Sequence, residues 1–236
     1  MPSSSAPTAR GEQAKAQLIA AGISLFGEKG PQTATTREIA QLSGQNIAAI
    51  FYYFGSKEGL YLAVAQWIAD FITQSLHAQA EQIDALLARP EVDAGLCRRY
   101  LHESLLTMSG LLARGETMNI SKIISREQLS PTGAYAVIHQ QAIAPMHQRI
   151  TRLVAGFTGC DPQALGTIVH THALLGEVLA FRLARETILL RTGWRELGPA
   201  QVAQINQVLT LHIDWFLYGL RAEQAGTTCR HNGQTS

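Results

Sequence analysis

Phe51, Tyr52 and Tyr53 stand in a row, and Lys57 follows shortly after them. Successive side chains on a helix point in different directions, so one short helix cannot bury three adjacent aromatics. Those left outside need a partner. A tyrosine hydroxyl can donate to a phosphate oxygen, a ring edge can pack on a thymine methyl, and a lysine can hold a second phosphate. This residue set suits the surface of duplex DNA. For Tyr53 alone, packing against the first helix is the alternative.

The elements that must position these side chains are written in Thr36-Arg-Glu-Ile-Ala-Gln-Leu-Ser-Gly-Gln-Asn-Ile-Ala-Ala-Ile-Phe-Tyr-Tyr-Phe54. Two short helices have to cross closely here. Ala40 is small where a larger side chain would hold them apart. Gly44 sits in the turn, where a positive φ is cheap for glycine. Ile50 is the apolar plug on the second helix. The offsets from Thr36 to Ala40, Gly44 and Ile50 are those of a helix-turn-helix. Gln45 departs from that pattern, which more often places an apolar residue after the glycine. An ordinary hairpin of two helices has the same glycine turn, and the aromatic run decides between the two.

Apolar periodicity predicts helices throughout the chain, and the alternation expected of strands is missing. The first helix is expected over about 10–28, with Leu18, Gly22, Leu25 and Phe26 as its buried stripe. Helices over 36–42 and 47–54 follow, the second capped by Asn46. A long fourth helix is expected over 57–87. Beyond Pro90 come segments over 93–113 and 117–129. A helix is expected to start at Ser130-Pro131 and reach about Phe157, kinked or divided at Pro145. Another should run from Asp161-Pro162 to about Leu190, and a last one from Gly198-Pro199 to about Glu223. The expected organisation is a disordered arm (1–9), a helix-turn-helix domain (10–56), a larger helical domain (57–223) and a flexible tail (224–236). The fold class is all-α.

Residues 50–60, Ile-Phe-Tyr-Tyr-Phe-Gly-Ser-Lys-Glu-Gly-Leu, resemble the signature of TetR-family regulators, as do Leu25-Phe-Gly-Glu-Lys-Gly30 and Thr36-Arg-Glu-Ile-Ala40. The resemblance covers residues 14–62. Phe51 stands where the family usually has tyrosine, which removes one hydroxyl. What the resemblance implies is a DNA-binding head with assigned roles. Arg37 would contact phosphate or a base edge. Asn46, Ile47, Ala48 and Tyr52 would face the major groove, with Phe51 beside them. Thr36, Tyr53 and Lys57 would hold phosphates. With Ile47 and Ala48 in the groove, thymine-methyl contacts and DNA shape would carry much of the specificity. Arg10 reads as a solvated residue of the arm.

The segment Ile123-Ile-Ser-Arg-Glu-Gln-Leu-Ser-Pro131-Thr-Gly-Ala-Tyr135, with Ile143-Ala-Pro145, is similar to the C-terminal domain of the CecR subgroup of that family. The family resemblance implies a small-molecule effector bound in the helical domain, a homodimer and a double-stranded operator. Repressor is the family's usual sense. Candidate effector contacts are Trp67, Phe71, Leu105, Met108, Leu112, Met118, Ile123, Arg126 and His172, each of which could equally be an ordinary core or surface residue. A bundle rich in Leu, Ile and Met suggests an apolar or amphipathic ligand. Two apolar stripes are candidates for the dimer interface, Leu165, Ile168, Leu175 and Leu179 on one helix and Leu209, Ile213, Phe216, Leu217 and Leu220 on another. Gly176 would allow a close helix approach. The same stripes could instead pack within one subunit.

Composition sets bounds on these readings. The chain has 236 residues, 19 basic against 18 acidic, so its net charge of +1 does not announce a nucleic-acid binder. The first sixty residues are just as balanced. Charged residues are only 16%, below the usual quarter, which leaves apolar surface for a subunit interface. Cys97, Cys160 and Cys229 are far apart and form no metal or disulfide pattern, and a reducing cytoplasm is expected. His170 and His172 lack the spacing of two metal ligands on one helix, so no metal or cofactor is expected. No membrane span is expected. Neither a nucleophile–base set nor a phosphate loop appears, which excludes the common enzyme classes. The remaining alternative is a helical interaction module using the helix-turn-helix to bind protein.

Overall fold

A computed structural model describes residues 9–232 of the chain, residues 227–232 by backbone alone. Met1–Thr8 of the expected arm and residues 233–236 of the expected tail lie outside the described residues. Among the described residues every regular element is helical. The elements are α1 (Ala9–Lys29), α2 (Thr36–Ser43), α3 (Ile47–Phe54), α4 (Lys57–Leu87), α5 (Ala94–Ala113), α6 (Met118–Leu129), α7 (Gly133–Ile138), α8 (Ala144–Thr158), α9 (Leu165–Leu183), α10 (Arg185–Thr192) and α11 (Pro199–Asn232). A short 3₁₀ turn, Gly115–Thr117, precedes α6, and a π turn, His139–Ile143, precedes α8.

Two compact units divide the chain. The first runs up to Gln74 and takes in Glu116–Ile143; the second comprises Ser75–Gly115 and the chain from Ala144 onward. The division therefore falls inside α4 and not at 56/57. The reason is burial: Ile120 and Ile123 of α6 and Ala134 and Ile138 of α7 share one core with Leu18, Phe26, Ile39 and Ile50. Within this unit α6 lies close along α1. A Cβ at Gly27 would come within 2.4 Å of the Asn119 side chain, so the crossing requires glycine there. Phe26 meets Tyr61 of α4 edge to face, ring centroids 5.0 Å apart.

The second unit packs α5 against α8, α9 and α11 around Leu101, Leu105, Leu153, Leu175, Leu209, Ile213 and Leu217. Asp214 of α11 receives a bidentate pair from Arg98 of α5, at 2.7 and 2.6 Å, and lies 2.8 Å from His102 Nε2. The hydrogen bonds from Arg98 hold the Asp214 carboxyl below its ordinary range.

Three boundaries differ from the sequence expectation. The helix expected from Ser130-Pro131 starts only at Gly133, and it is divided beside Pro145, as the proline predicts. The π turn ends just before it, so α8 begins at Ala144 and the proline sits in its first turn, where its missing N–H costs least. The helix expected to run to Leu190 starts only at Leu165 and breaks at Ala184, whose φ of −103° and ψ of 30° leave the helical region. No glycine or proline marks that break. The last helix continues to Asn232, past the expected end near Glu223.

Candidate nucleic-acid interface

The head is built from caps outward. Thr35 Oγ1 accepts from the Glu38 N–H at 3.2 Å, and the Thr35 N–H donates to Glu38 Oε2 at 2.9 Å, a capping box that starts α2. Lys29 Nζ donates to the other carboxylate oxygen of Glu38 at 2.6 Å. This bond, aided by those from Thr35, draws the Glu38 carboxyl down to about 2. Gly44 ends α2 with φ 68°, as its place in the turn requires. The amide of Gln45, the residue off the usual pattern, donates to Gln17 Oε1 of α1 at 2.9 Å. A polar residue fits after the glycine here because α1 supplies it a partner.

Asn46 caps α3, its Oδ1 accepting from the Ala49 N–H at 2.8 Å. Ile39, Ala40 and Ile50 are buried at the crossing of α2 and α3. With that face anchored, Asn46, Ile47, Ala48, Phe51 and Tyr52 all point outward, Tyr52 with 82% of its surface exposed. Arg37 is exposed on α2, and Thr36 is half-buried. Tyr53 and Phe54 are half-buried, Tyr53 lying 4.9 Å from Tyr52 ring to ring. Lys57 Nζ donates to the Ala34 carbonyl at 3.2 Å, tying α4 to the loop before α2. Ser56 caps α4 by accepting from the Gly59 N–H at 3.0 Å. The nine sequence candidates for DNA contact thus fall on α2, α3 and the start of α4 within one unit.

The effector candidates do not stay together. Leu105 and Met108 line a cavity in the second unit with about 430 Å³ of empty space, part of it open to solvent. Its other walls come from Leu76, Gln79, Ala80 and Ile83 of α4, Ser104 of α5, Met146, Arg149 and Ile150 of α8, and Leu175 of α9. Leu112 lines a smaller space of about 240 Å³ beside Phe181 and Arg182. His172 is exposed and stacks on His147. The remaining five belong to the first unit. Trp67 stacks on Phe71 with ring centroids 5.4 Å apart, and Ile123 is fully buried in the core. Met118 begins α6. Arg126 is engaged within the protein: it donates to the Phe26 carbonyl at 2.6 Å and the Glu28 carbonyl at 3.2 Å, closing the end of α1. Its neighbour Glu127 is buried, accepting from the Tyr61 hydroxyl at 2.8 Å and from the N–H groups of Thr132 and Tyr135. Burial and this bond push the Tyr61 hydroxyl above its ordinary range.

The two interface stripes also divide. Leu175, Leu209, Ile213 and Leu217 are buried in their own unit, because each faces α5 or α8. Leu179, Phe216 and Leu220 are half-buried. Leu165, Ile168 and Gly176 are exposed, and a Cβ on Gly176 would meet nothing within 4 Å. The outward apolar face that the stripes missed is Val208, Leu211, Trp215 and Tyr218 on α11, with Val169 on α9. His212 of α11 bonds to Glu177 of α9 beside it and stacks on Trp215.

Comparison with known proteins agrees with this geometry. Residues 18–64 match the model of bacterial regulatory proteins of the tetR family, and residues 98–220 match that of the C-terminal domain of the HTH-type transcriptional dual regulator CecR. The chain is 55% identical over 215 residues to the HTH-type transcriptional dual regulator CecR of Shigella flexneri, covering 91% of this chain and 96% of that protein. It is 34% identical over 77 residues to the regulator RutR of Escherichia coli K12, covering 33% of this chain and 36% of RutR. Among solved structures, AibR in complex with isovaleryl coenzyme A and operator DNA aligns with a TM-score of 0.61 at 14% identity, over 84% of this chain and 96% of that one. A TetR-like transcriptional regulator from Rhodococcus aligns with the same score at 16% identity, over 87% and 96%. Identities this low speak for the fold alone. No helix among the described residues is long and apolar enough to cross a membrane.

Proposed function

Because the chain belongs to the TetR family of transcriptional regulators, with a C-terminal domain of the CecR type, we propose that it binds a palindromic operator as a homodimer and releases it when a small molecule fills the cavity of its second unit. The observation that carries the reading is the outward face of α3. Ile50 and Ala40 lock the crossing, and Asn46, Ile47, Ala48, Phe51 and Tyr52 are left to enter a major groove. Thr36, Arg37, Tyr53 and Lys57 flank them as phosphate contacts.

The effector reading rests on the lining of the cavity, which is mostly Leu, Ile and Met and suits an apolar or amphipathic molecule. Helix α4 runs through both units as one element, so a ligand with different affinity for two placements of the heads shifts the population that fits the operator. The dimer reading rests on the exposed apolar face of α9 and α11, which two subunits can share as a four-helix bundle. Occupying an operator that overlaps a promoter represses it. The Shigella relative is named a dual regulator, and we extend that to this chain as a sign set by where each operator lies.

Selection of the full-length protein on random-sequence duplex DNA, followed by affinity against salt, tests the proposal. The expected result is an enriched palindrome with half-sites one helical turn or a multiple apart, and affinity that falls steeply with salt. Absence of enrichment, with weak salt-insensitive binding, overturns it and favours a protein-binding role for the head.

A further inference from the structure

The cavity of the second unit is not uniformly apolar. Three buried side-chain polar atoms among the described residues have no hydrogen-bond partner, and two of them, Gln79 Oε1 and Ser104 Oγ, belong to residues lining this cavity. The third, Asn206 Oδ1, is on α11 away from it. Native chains leave few such atoms unsatisfied, because an unmade bond forfeits solvation without a return.

The orientation of the Gln79 amide is fixed by its neighbours. Its Nε2 donates to Thr107 Oγ1 at 2.8 Å and to the Glu103 carbonyl at 3.4 Å. A flipped amide would set oxygen against the Glu103 carbonyl, so Oε1 is the atom left over, and it can only accept. Ser104 sits inside α5, where a serine hydroxyl often bonds back to the preceding turn, yet this one does not. It can donate and accept. Arg149 is the one charged residue of the lining, and Asp84 neutralises it through bonds of 2.9 Å from Nε and 2.8 Å from Nη2. A charged ligand therefore meets no free counter-charge in these walls, and burying it there would be costly.

We propose that the cavity selects an uncharged, largely apolar molecule bearing a hydroxyl or N–H, whose hydrogen is accepted by Gln79 and whose heteroatom is held by the Ser104 hydroxyl. This rests on the reading of the cavity as the effector site. A hydroxyl satisfies both orphaned atoms at once, since it gives its proton to Oε1 while its oxygen accepts from Oγ. Gln79 and Ser104 are then the residues that set specificity, and Ile83, Leu105, Met108 and Ile150 supply the apolar contact.

Calorimetry on the full-length protein with three probes of one size tests this: 4-propylphenol, its methyl ether 4-propylanisole, and 4-propylbenzoate. The phenol is expected to bind about tenfold tighter than the ether, the worth of one net hydrogen bond, and tighter still than the anion. Gln79→Leu should bring phenol and ether to equal affinity. Ser104→Ala should weaken phenol and ether alike, since either oxygen can accept from Oγ, with a melting temperature unchanged or raised, because it removes an unsatisfied hydroxyl from a helix. Equal binding of phenol and ether by the native chain, tightest binding of the benzoate, a phenol preference that survives Gln79→Leu, or unchanged affinity of both in Ser104→Ala overturns the inference and leaves the cavity as an effector site. Binding of none of the three overturns both.

Discussion

Asn46 can offer only part of its amide to DNA. Its Oδ1 is committed to the Ala49 N–H as the cap of α3, which leaves the Nδ2 group to face a base or phosphate. Asn46→Asp separates the two roles, since aspartate caps as well as asparagine but presents no donor and adds a negative charge. The variant is expected to melt within a degree or two of the native protein and to lose about tenfold or more in operator affinity, read by thermal unfolding and fluorescence anisotropy. Tyr52→Ala should weaken operator binding more than binding to random DNA, whereas Lys57→Ala should weaken both alike and flatten the salt dependence. Retained discrimination in Tyr52→Ala would mean that another element reads the bases. Glu38 carries a pH dependence of a different kind. Its carboxyl is drawn from an ordinary 4.5 down to about 2, chiefly by the Lys29 hydrogen bond. A lowered carboxyl stabilises the folded state above its ordinary value and loses that contribution as pH falls toward 2. Glu38→Gln should therefore flatten the loss of head stability between about pH 4.5 and 2, followed by circular dichroism.

At the scale of elements, the helices fixed by local chemistry were legible and the junctions fixed by packing were not. α3 begins and ends, and α4 begins, where Asn46, Gly55 and Ser56 place them, because caps act within a few residues. The Thr35–Glu38 capping box is equally local and was there to be read one residue ahead of Thr36. The break at Ala184 carries no such marker, whereas Pro145 marks the division that follows the π turn. Arg126 and Glu127 show the limit most plainly. From the sequence Arg126 reads as a candidate effector contact or an ordinary surface residue, and what it and its neighbour Glu127 do depends on residues far along the chain. Arg126 closes α1, and Glu127 holds Tyr61 and the start of α7, so together they fasten α6 to the head. Removing Glu127 takes the acceptor from the Tyr61 hydroxyl and the Thr132 N–H, while the Tyr135 N–H keeps the Thr132 carbonyl. Glu127→Ala should cost about 3 kcal/mol in urea unfolding, and Arg126→Ala, which takes one bond each from the Phe26 and Glu28 carbonyls, about 2 kcal/mol. A loss under about half a kcal/mol in both would show that packing alone holds α6.

For the whole molecule, a single sequence shows which residues share a helix face but not which face looks inward. The stripe of Leu209, Ile213, Phe216, Leu217 and Leu220 reads as an interface or as packing within one subunit; Leu209, Ile213 and Leu217 are turned inward to the core, which leaves the reverse face, Val208, Leu211, Trp215 and Tyr218, exposed. That arrangement yields a paired test of assembly. Trp215 is 66% exposed, so Trp215→Glu should leave the fold intact, while a charge at fully buried Ile213 has no partner and should unfold the second unit. If the exposed face joins two subunits, Trp215→Glu sedimented at micromolar concentration should run as a monomer that keeps native helicity. Its operator affinity should fall by about two orders of magnitude or more, because each head must then bind its half-site without the effective concentration that a joined partner supplies. Its affinity for a single half-site should stay unchanged, since the head itself is untouched. A folded Trp215→Glu protein that remains dimeric and binds the full palindrome as before would place the subunit contact elsewhere and leave this apolar face to another partner.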